Sequence, residues 1–206
     1  MSEIHYVLGD ATRPQVPGPK IIAHICNDYG GWGRGFVVAL SKRNRSPEEL
    51  YRIIAASRPL VLGEVMLSDF GPDDPDVLVA NMVAQHGNST PQNPVAVDYK
   101  ALRACLDQLG HDAADMNASV HMPRIGCGLG GGKWSVVEEA ILAILVDVYG
   151  LQVYVYDLPT PLAVVAHHEM DEADSEFQHA LHCLADRCAC DVTPVTLVDA
   201  PEEARS

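Results

Sequence analysis

Basic residues are scarce. Lys and Arg number 14 against 28 Asp and Glu, a net charge of −14 over 206 residues. Duplex DNA is held by clustered cations that displace its counterions, so this balance argues against a nucleic-acid partner. Long apolar runs are missing too. The longest, residues 140–146, ends at Asp147, far short of the ~20 residues that a membrane helix needs. The first ten residues, MSEIHYVLGD, lack the basic-then-apolar layout of a secretion signal. No membrane partner and a cytoplasmic location are therefore expected. Without a secretion signal, the six cysteines do not imply a disulfide framework; Cys26, Cys105 and Cys127 lie in apolar or glycine-rich surroundings and read as buried thiols. Charged residues make up 20% and hydrophobic residues 48%, enough to build a core and to exclude wholesale disorder. The length suits one domain with an appendage and excludes a long multidomain enzyme.

The charge is uneven. Residues 159–206 hold ten acids and two bases, a balance of −8, against eighteen acids and twelve bases, −6, in residues 1–158. An anion bound in the first region would need backbone amides and helix N-termini rather than bulk positive charge.

The pattern along residues 1–158 alternates strands and helices. Ile4–Leu8 and the apolar run Lys20–Cys26 read as strands, the second of a kind buried on both faces of a sheet. Gly35–Lys42 has helical spacing. Ser46-Pro47-Glu48-Glu49 sets a cap, a first-turn proline and two acids in order, predicting a helix to about Ser57. Leu62–Phe70 and Val77–Val83 read as strands across a Gly-Pro-Asp-Asp-Pro turn. A helix over Asp98–Met116, a strand over Ala118–Arg124, a helix over Trp134–Tyr149 and a strand over Leu151–Tyr156 follow. This order predicts an α/β fold with helices on both faces of a sheet. Pro159-Thr160-Pro161 breaks the alternation, placing a boundary between residues 1–158 and an acidic extension, 159–206. Within the extension, residues 162–166 form a short apolar run, 171–188 suit an acidic helix and 195–198 a strand.

Two glycine-rich segments join strand ends to helix starts. In the first, Asn27 and Asp28 precede Tyr29, Gly30, Gly31, Trp32, Gly33, Arg34 and Gly35. Glycines there let the backbone approach a ligand and turn N–H groups toward an anion, which the helix dipole favours. The alternative is a flexible strand–helix turn. Neither a Walker loop nor the Rossmann spacing is present. The second segment runs from Pro123 and Arg124 through Gly126, Cys127, Gly128, Leu129, Gly130, Gly131 and Gly132 to Lys133. Open α/β sheets bind ligands at the carboxyl ends of their strands, so two such loops suggest a clamp on a diphosphate. Asp10, beside Ala11 after the first strand, suits an exocyclic amine such as adenine's, or equally a turn cap. Gln85 and His86 end another strand. His86 is a candidate general acid or base, or a solvated loop histidine.

These residues resemble a known family. Tyr6–Thr12 (YVLGDAT), Ile21–Arg43, Val79–Gly87 (VANMVAQHG) and Ser119–Trp134 (SVHMPRIGCGLGGGKW) are similar to macro domains. They look most like the branch related to the terminal ADP-ribose protein glycohydrolase and to ADP-ribose 1″-phosphate processing proteins. The resemblance spans residues 3–158. It implies a three-layer α/β/α sandwich with a mixed, mostly parallel sheet, and a cleft for ADP-ribose or an ADP-ribosylated protein. It would give Asp10, with Ala11, the adenine, and Asn27 the distal ribose. Residues 30–35 and 126–132 would enclose the diphosphate and distal ribose. One departure stands out. The terminal glycohydrolase pairs a lysine at the strand end with an aspartate in the second loop; here those places read Gln85-His86 and Gly130. A bound water positioned by phosphate and the first loop is the expected nucleophile, with Asn27, Gln85 and His86 as catalytic candidates.

The function expected is removal of ADP-ribose from ester-linked acceptors, either acidic protein side chains or O-acetyl-ADP-ribose. The alternatives are a non-catalytic reader of ADP-ribose and a phosphatase acting on ADP-ribose 1″-phosphate. No cofactor or metal is expected. His167, His168, His179, His182, Cys183, Cys188 and Cys190 in the extension are zinc-ligand types, but their spacing matches no common finger.

Overall fold

A computed structural model describes residues 4–159. The expected acidic helix, the strand over 195–198 and the zinc-ligand types all lie outside the described residues. Six strands form one sheet in the order β1-β6-β5-β2-β4-β3: β1 (Ile4–Leu8), β2 (Lys20–Asn27), β3 (Val65–Asp69), β4 (Val77–Gln85), β5 (Ser119–Pro123) and β6 (Val153–Asp157). Every neighbouring pair is parallel except β3–β4, so five strands end on one common edge. The sheet is mixed and mostly parallel.

Side-chain alternation along the central strands divides the core. Ile21 and Ala23 of β2, and Ala80, Met82 and Ala84 of β4, face one side with α3 (Tyr99–Asp115) and α4 (Trp134–Ile141). There Leu102, Leu106 and Leu109 recur at helical spacing, and Trp134, Val137 and Ile141 supply the second helix. Ile22 and Val79 face the opposite side with Leu40 of α1 (Phe36–Arg43). Cys26 and Val83 share that side with Tyr51 of α2 (Ser46–Ser57). The three layers follow from a period of two meeting one of 3.6. No helix among the described residues is long and apolar enough to cross a membrane.

Some local readings shift. Ser46 is not the cap of α2 but its first residue; Asn44 reaches forward, and its Oδ1 accepts the Ser46 amide at 2.8 Å. β3 starts at Val65 rather than Leu62, because a turn closed by the Glu64 amide on the Val61 carbonyl precedes it. The helix expected through Tyr149 widens into a π-helical stretch, Leu142–Val148, that keeps Leu145 and Val146 buried. β4 runs two residues past Val83, which carries Gln85 to the sheet edge.

Candidate functional site

The common edge collects the loops after β1, β5, β2 and β4, in that order across the sheet. After β1, Asp10 closes the turn its sequence context allows. Its Oδ1 accepts the amide and hydroxyl of Thr12 at 2.9 and 2.8 Å, closing a turn. Its Oδ2 remains at the surface near Arg13, 3.9 Å away. Ala11 is buried. Nearby, Arg124 grips Asp157 through two bonds of 2.7 and 2.9 Å and lies over the rings of Tyr6 and Trp134. Tyr6 donates to Glu138; burial and that bond push its phenol up to about 12. Sequence reading placed no role on Arg124, whose partner Asp157 lies 33 residues away.

Asn27 ends β2 at a register shift against β4, a bulge that re-aims the strand end. Its side chain organises the first glycine loop. Oδ1 accepts the Gly31 amide at 2.8 Å, the Tyr29 amide at 3.2 Å and the Tyr51 hydroxyl at 2.9 Å, while Nδ2 donates to the Gly31 carbonyl at 2.7 Å. One N–H of the amide is left for a ligand. Tyr51 had no expected role. Burial pushes its phenol well above the usual value, which keeps it a donor.

Trp32 packs its ring against the domain. The indole packs edge-on to His24 and against Tyr51, and Nε1 donates to Ser41 at 2.8 Å. Ser41 donates on to Glu48, which also accepts from Arg52. Burial alone would raise the Glu48 pKa; the bonds from Arg52 and Ser41 outweigh it and hold the carboxyl low. Trp32 is thus the anchor that pins the loop to α1 and α2. Gly33 has φ +140° and open space where a side chain would start, and Arg34 beside it is exposed.

The second loop divides in the same way. Gly130, Gly131 and Gly132 are glycines for packing. A Cβ on Gly131 would sit 2.0 Å from the Pro94 carbonyl oxygen, and those on Gly130 and Gly132 would press the Gly126 carbonyl at 2.7 and 2.9 Å. The Gly130 carbonyl accepts the amides of Ala96 and Val97, tying the loop to the segment after β4. Gly128 instead faces open space, and Leu129 is half exposed. Cys127 is partly exposed rather than buried.

The two loops meet. A Cβ on Gly35 would lie 3.2 Å from Cδ1 of Leu129. Among the described residues, the amides of Gly33, Arg34, Gly35, Gly128, Leu129 and Gly130 donate to no protein acceptor. α1 and α4 start directly behind them, and neither has a side-chain cap or an acid in its first turn. Unpaired amides and two bare positive helix ends therefore gather where the two loops meet, an arrangement suited to a diphosphate.

At the end of β4, the Gln85 amide donates to the Gly87 carbonyl at 2.9 Å and props the turn. His86 is exposed, with Nδ1 2.6 Å from Oδ2 of Asp28. Among the described residues no group of three or more His, Cys, Asp or Glu is placed to hold a metal ion.

No family model matches the chain. A macrodomain protein of solved structure from Streptomyces coelicolor is 46% identical, covers 75% of this chain and 99% of its own, and superposes with a TM-score of 0.65. Among curated proteins, the mouse chromodomain-helicase-DNA-binding protein 1-like is 35% identical over 77% of this chain. The match spans only 18% of that larger protein's length. An ADP-ribose 1″-phosphate phosphatase of Candida albicans is 26% identical over 67% of this chain and 91% of its own.

Proposed function

Because the chain belongs to the macro domain family, we propose that it binds ADP-ribose at the carboxyl edge and removes it from ester-linked acceptors, acidic protein side chains or O-acetyl-ADP-ribose. The convergence of the two loops carries this reading: amides without acceptors and two uncapped helix starts face one cleft in a chain of net charge −14. Adenine lies toward Asp10, the diphosphate between the loops behind β5 and β2, and the distal ribose beside Asn27, toward β4. A carboxylate ester is activated enough for a positioned water to attack once held, and orientation with amide electrostatics lowers the barrier by several kcal/mol. A cytoplasmic place of action is part of the same proposal.

A second reading has its own observation. The strand end carries Gln85 and His86 and the second loop Gly130, where the terminal glycohydrolase carries lysine and aspartate. That favours a reader which binds without turnover. Calorimetry with ADP-ribose is expected to give micromolar affinity, about −8 kcal/mol, with AMP far weaker. No heat from folded protein overturns the binding site. Release of ADP-ribose from a glutamate-ADP-ribosylated peptide separates hydrolase from reader.

A further inference from the structure

One pair at the edge is not explained by the glycine loops. Asp28 follows β2, and its amide donates to the Gln85 carbonyl at 3.0 Å, so the ends of β2 and β4 are stitched together. Its Oδ1 accepts the Gly87 amide at 3.0 Å and its Oδ2 meets His86 Nδ1 at 2.6 Å. The histidine backbone is held on both sides: its amide donates to the Ala96 carbonyl at 2.8 Å and its carbonyl accepts from Asn93 Nδ2 at 3.2 Å. The Asp28 side chain is 19% exposed and the His86 ring 76%. Burial by itself would raise the Asp28 pKa, but the Gly87 amide and His86 outweigh it and keep the group a carboxylate. A carboxylate on Nδ1 fixes the proton there and leaves the Nε2 lone pair on the outer side of the ring.

An exposed ion pair contributes little to stability. This one lies on the edge where the ribose end of the ligand arrives. β4 is next to β2, on the far side of the two loops from Asp10. We propose that His86 is the general base of the ester hydrolysis and Asp28 the residue that positions it. The proposal rests on the hydrolase reading above. His86 Nε2 takes a proton from water as the water oxygen bonds to the acyl carbon of the ester. The bond from that carbon to the ribose oxygen then breaks, and the same proton passes to the departing ribose oxygen. Acid and ribose hydroxyl are the products, and water is the only co-reactant. The acyl carbon is common to both ester classes, so one base serves both.

The test uses the full chain with a glutamate-ADP-ribosylated peptide, measuring kcat and KM, and with free ADP-ribose, measuring affinity. His86→Ala is expected to lower kcat by ~100-fold or more, in the range for a positioned base, with KM and ADP-ribose affinity near wild type. Added imidazole should restore part of the rate. Asp28→Asn keeps the Gly87 bond but presents an N–H to Nδ1, which moves the histidine proton to Nε2. It is expected to lower kcat by ~10–100-fold with affinity kept. Wild-type kcat in both variants overturns the pair and leaves the hydrolase reading standing. A wild type that binds ADP-ribose yet releases none from the ester overturns that reading and the pair with it. If His86→Ala loses affinity as much as rate, without imidazole rescue, the histidine is a binding group and the proposal fails.

Discussion

Among the described residues, the α-helices begin in two different ways. α2 and α3 bring their own anions: Glu48 and Glu49 lie in the first turn of α2, and Asp98 accepts the Ala101 amide of α3 at 2.9 Å. α1 follows Gly35 and α4 follows Lys133, and neither has a side-chain cap or a first-turn acid. Position does not explain this, since α3 starts from the same sheet edge as α4. Its Asp98 already occupies the place an anion would take. A missing cap costs about 1 kcal/mol; α2 also lacks one but offsets it with its first-turn acids, and only the two helices behind the glycine loops have neither. Bare helix starts therefore mark the ligand cleft better than glycine content does.

Glycines sharpen the point, because those of the second loop serve two purposes. The largest effect is expected at Gly131, where φ is +69° and a Cβ would meet the Pro94 oxygen at 2.0 Å. Gly131→Ala should destabilise the fold by about 3 kcal/mol, through backbone strain and a clash that cannot relax by moving a side chain. Thermal or urea unfolding measures it. An unchanged midpoint would mean that the packing against residues 94–97 is loose.

Gly33 is the counterpart in open space. Gly33→Glu brings a carboxylate to the amides themselves. ADP-ribose affinity should fall at least ~100-fold, about 2.7 kcal/mol, while the φ of +140° adds a stability cost of about 1–2 kcal/mol. Retained affinity in the folded variant would show that the first loop does not clamp the ligand.

Acid treatment separates fold from cleft by another route. His24 and His121 are buried and neutral, and burial pulls each down to about 4 from 6.5. The unfolded chain binds more protons than the folded one between those values, so stability falls as pH drops from 6.5 and levels off below 4. By pH 5.5 the loss should be roughly 1 kcal/mol for each histidine. Backbone amides do not titrate, so ADP-ribose affinity of the folded protein should hold from pH 7 to 5.5. Chemical denaturation and calorimetry across that window read the two separately.

The alternation of strands and helices was legible because buried runs such as Lys20–Cys26 and the leucine spacing of α3 are local signals. The cleft's place was legible too, from strand ends followed by glycine. What each residue does there was not. Trp32 and Gly130–Gly132 sit inside the expected loops, yet the ring points into the helices and the glycines answer to Pro94, Val97 and Gly126. Such tasks depend on neighbours distant in sequence. Asp28 lay in full view beside Asn27, but its partner His86 is 58 residues away. Ser46 itself already begins α2, so the cap position passes to Arg45, whose side chain makes no capping bond.

The smallest effect tests the comparison most directly. Lys133 precedes α4 with φ −94° and ψ 128°, the extended geometry of a good N-cap. Lys133→Asp should therefore cap α4 and stabilise the fold by about 0.5–1 kcal/mol. The same carboxylate would offset the positive start of α4 and add a negative charge beside the diphosphate, so ADP-ribose affinity should weaken by ~5–10-fold, about 1 kcal/mol. Asp98→Ala is the mirror case, costing α3 about 1 kcal/mol of stability without touching affinity. If Lys133→Asp raises stability and leaves affinity unchanged, the start of α4 takes no part in binding and the anion belongs to α1 and its loop alone.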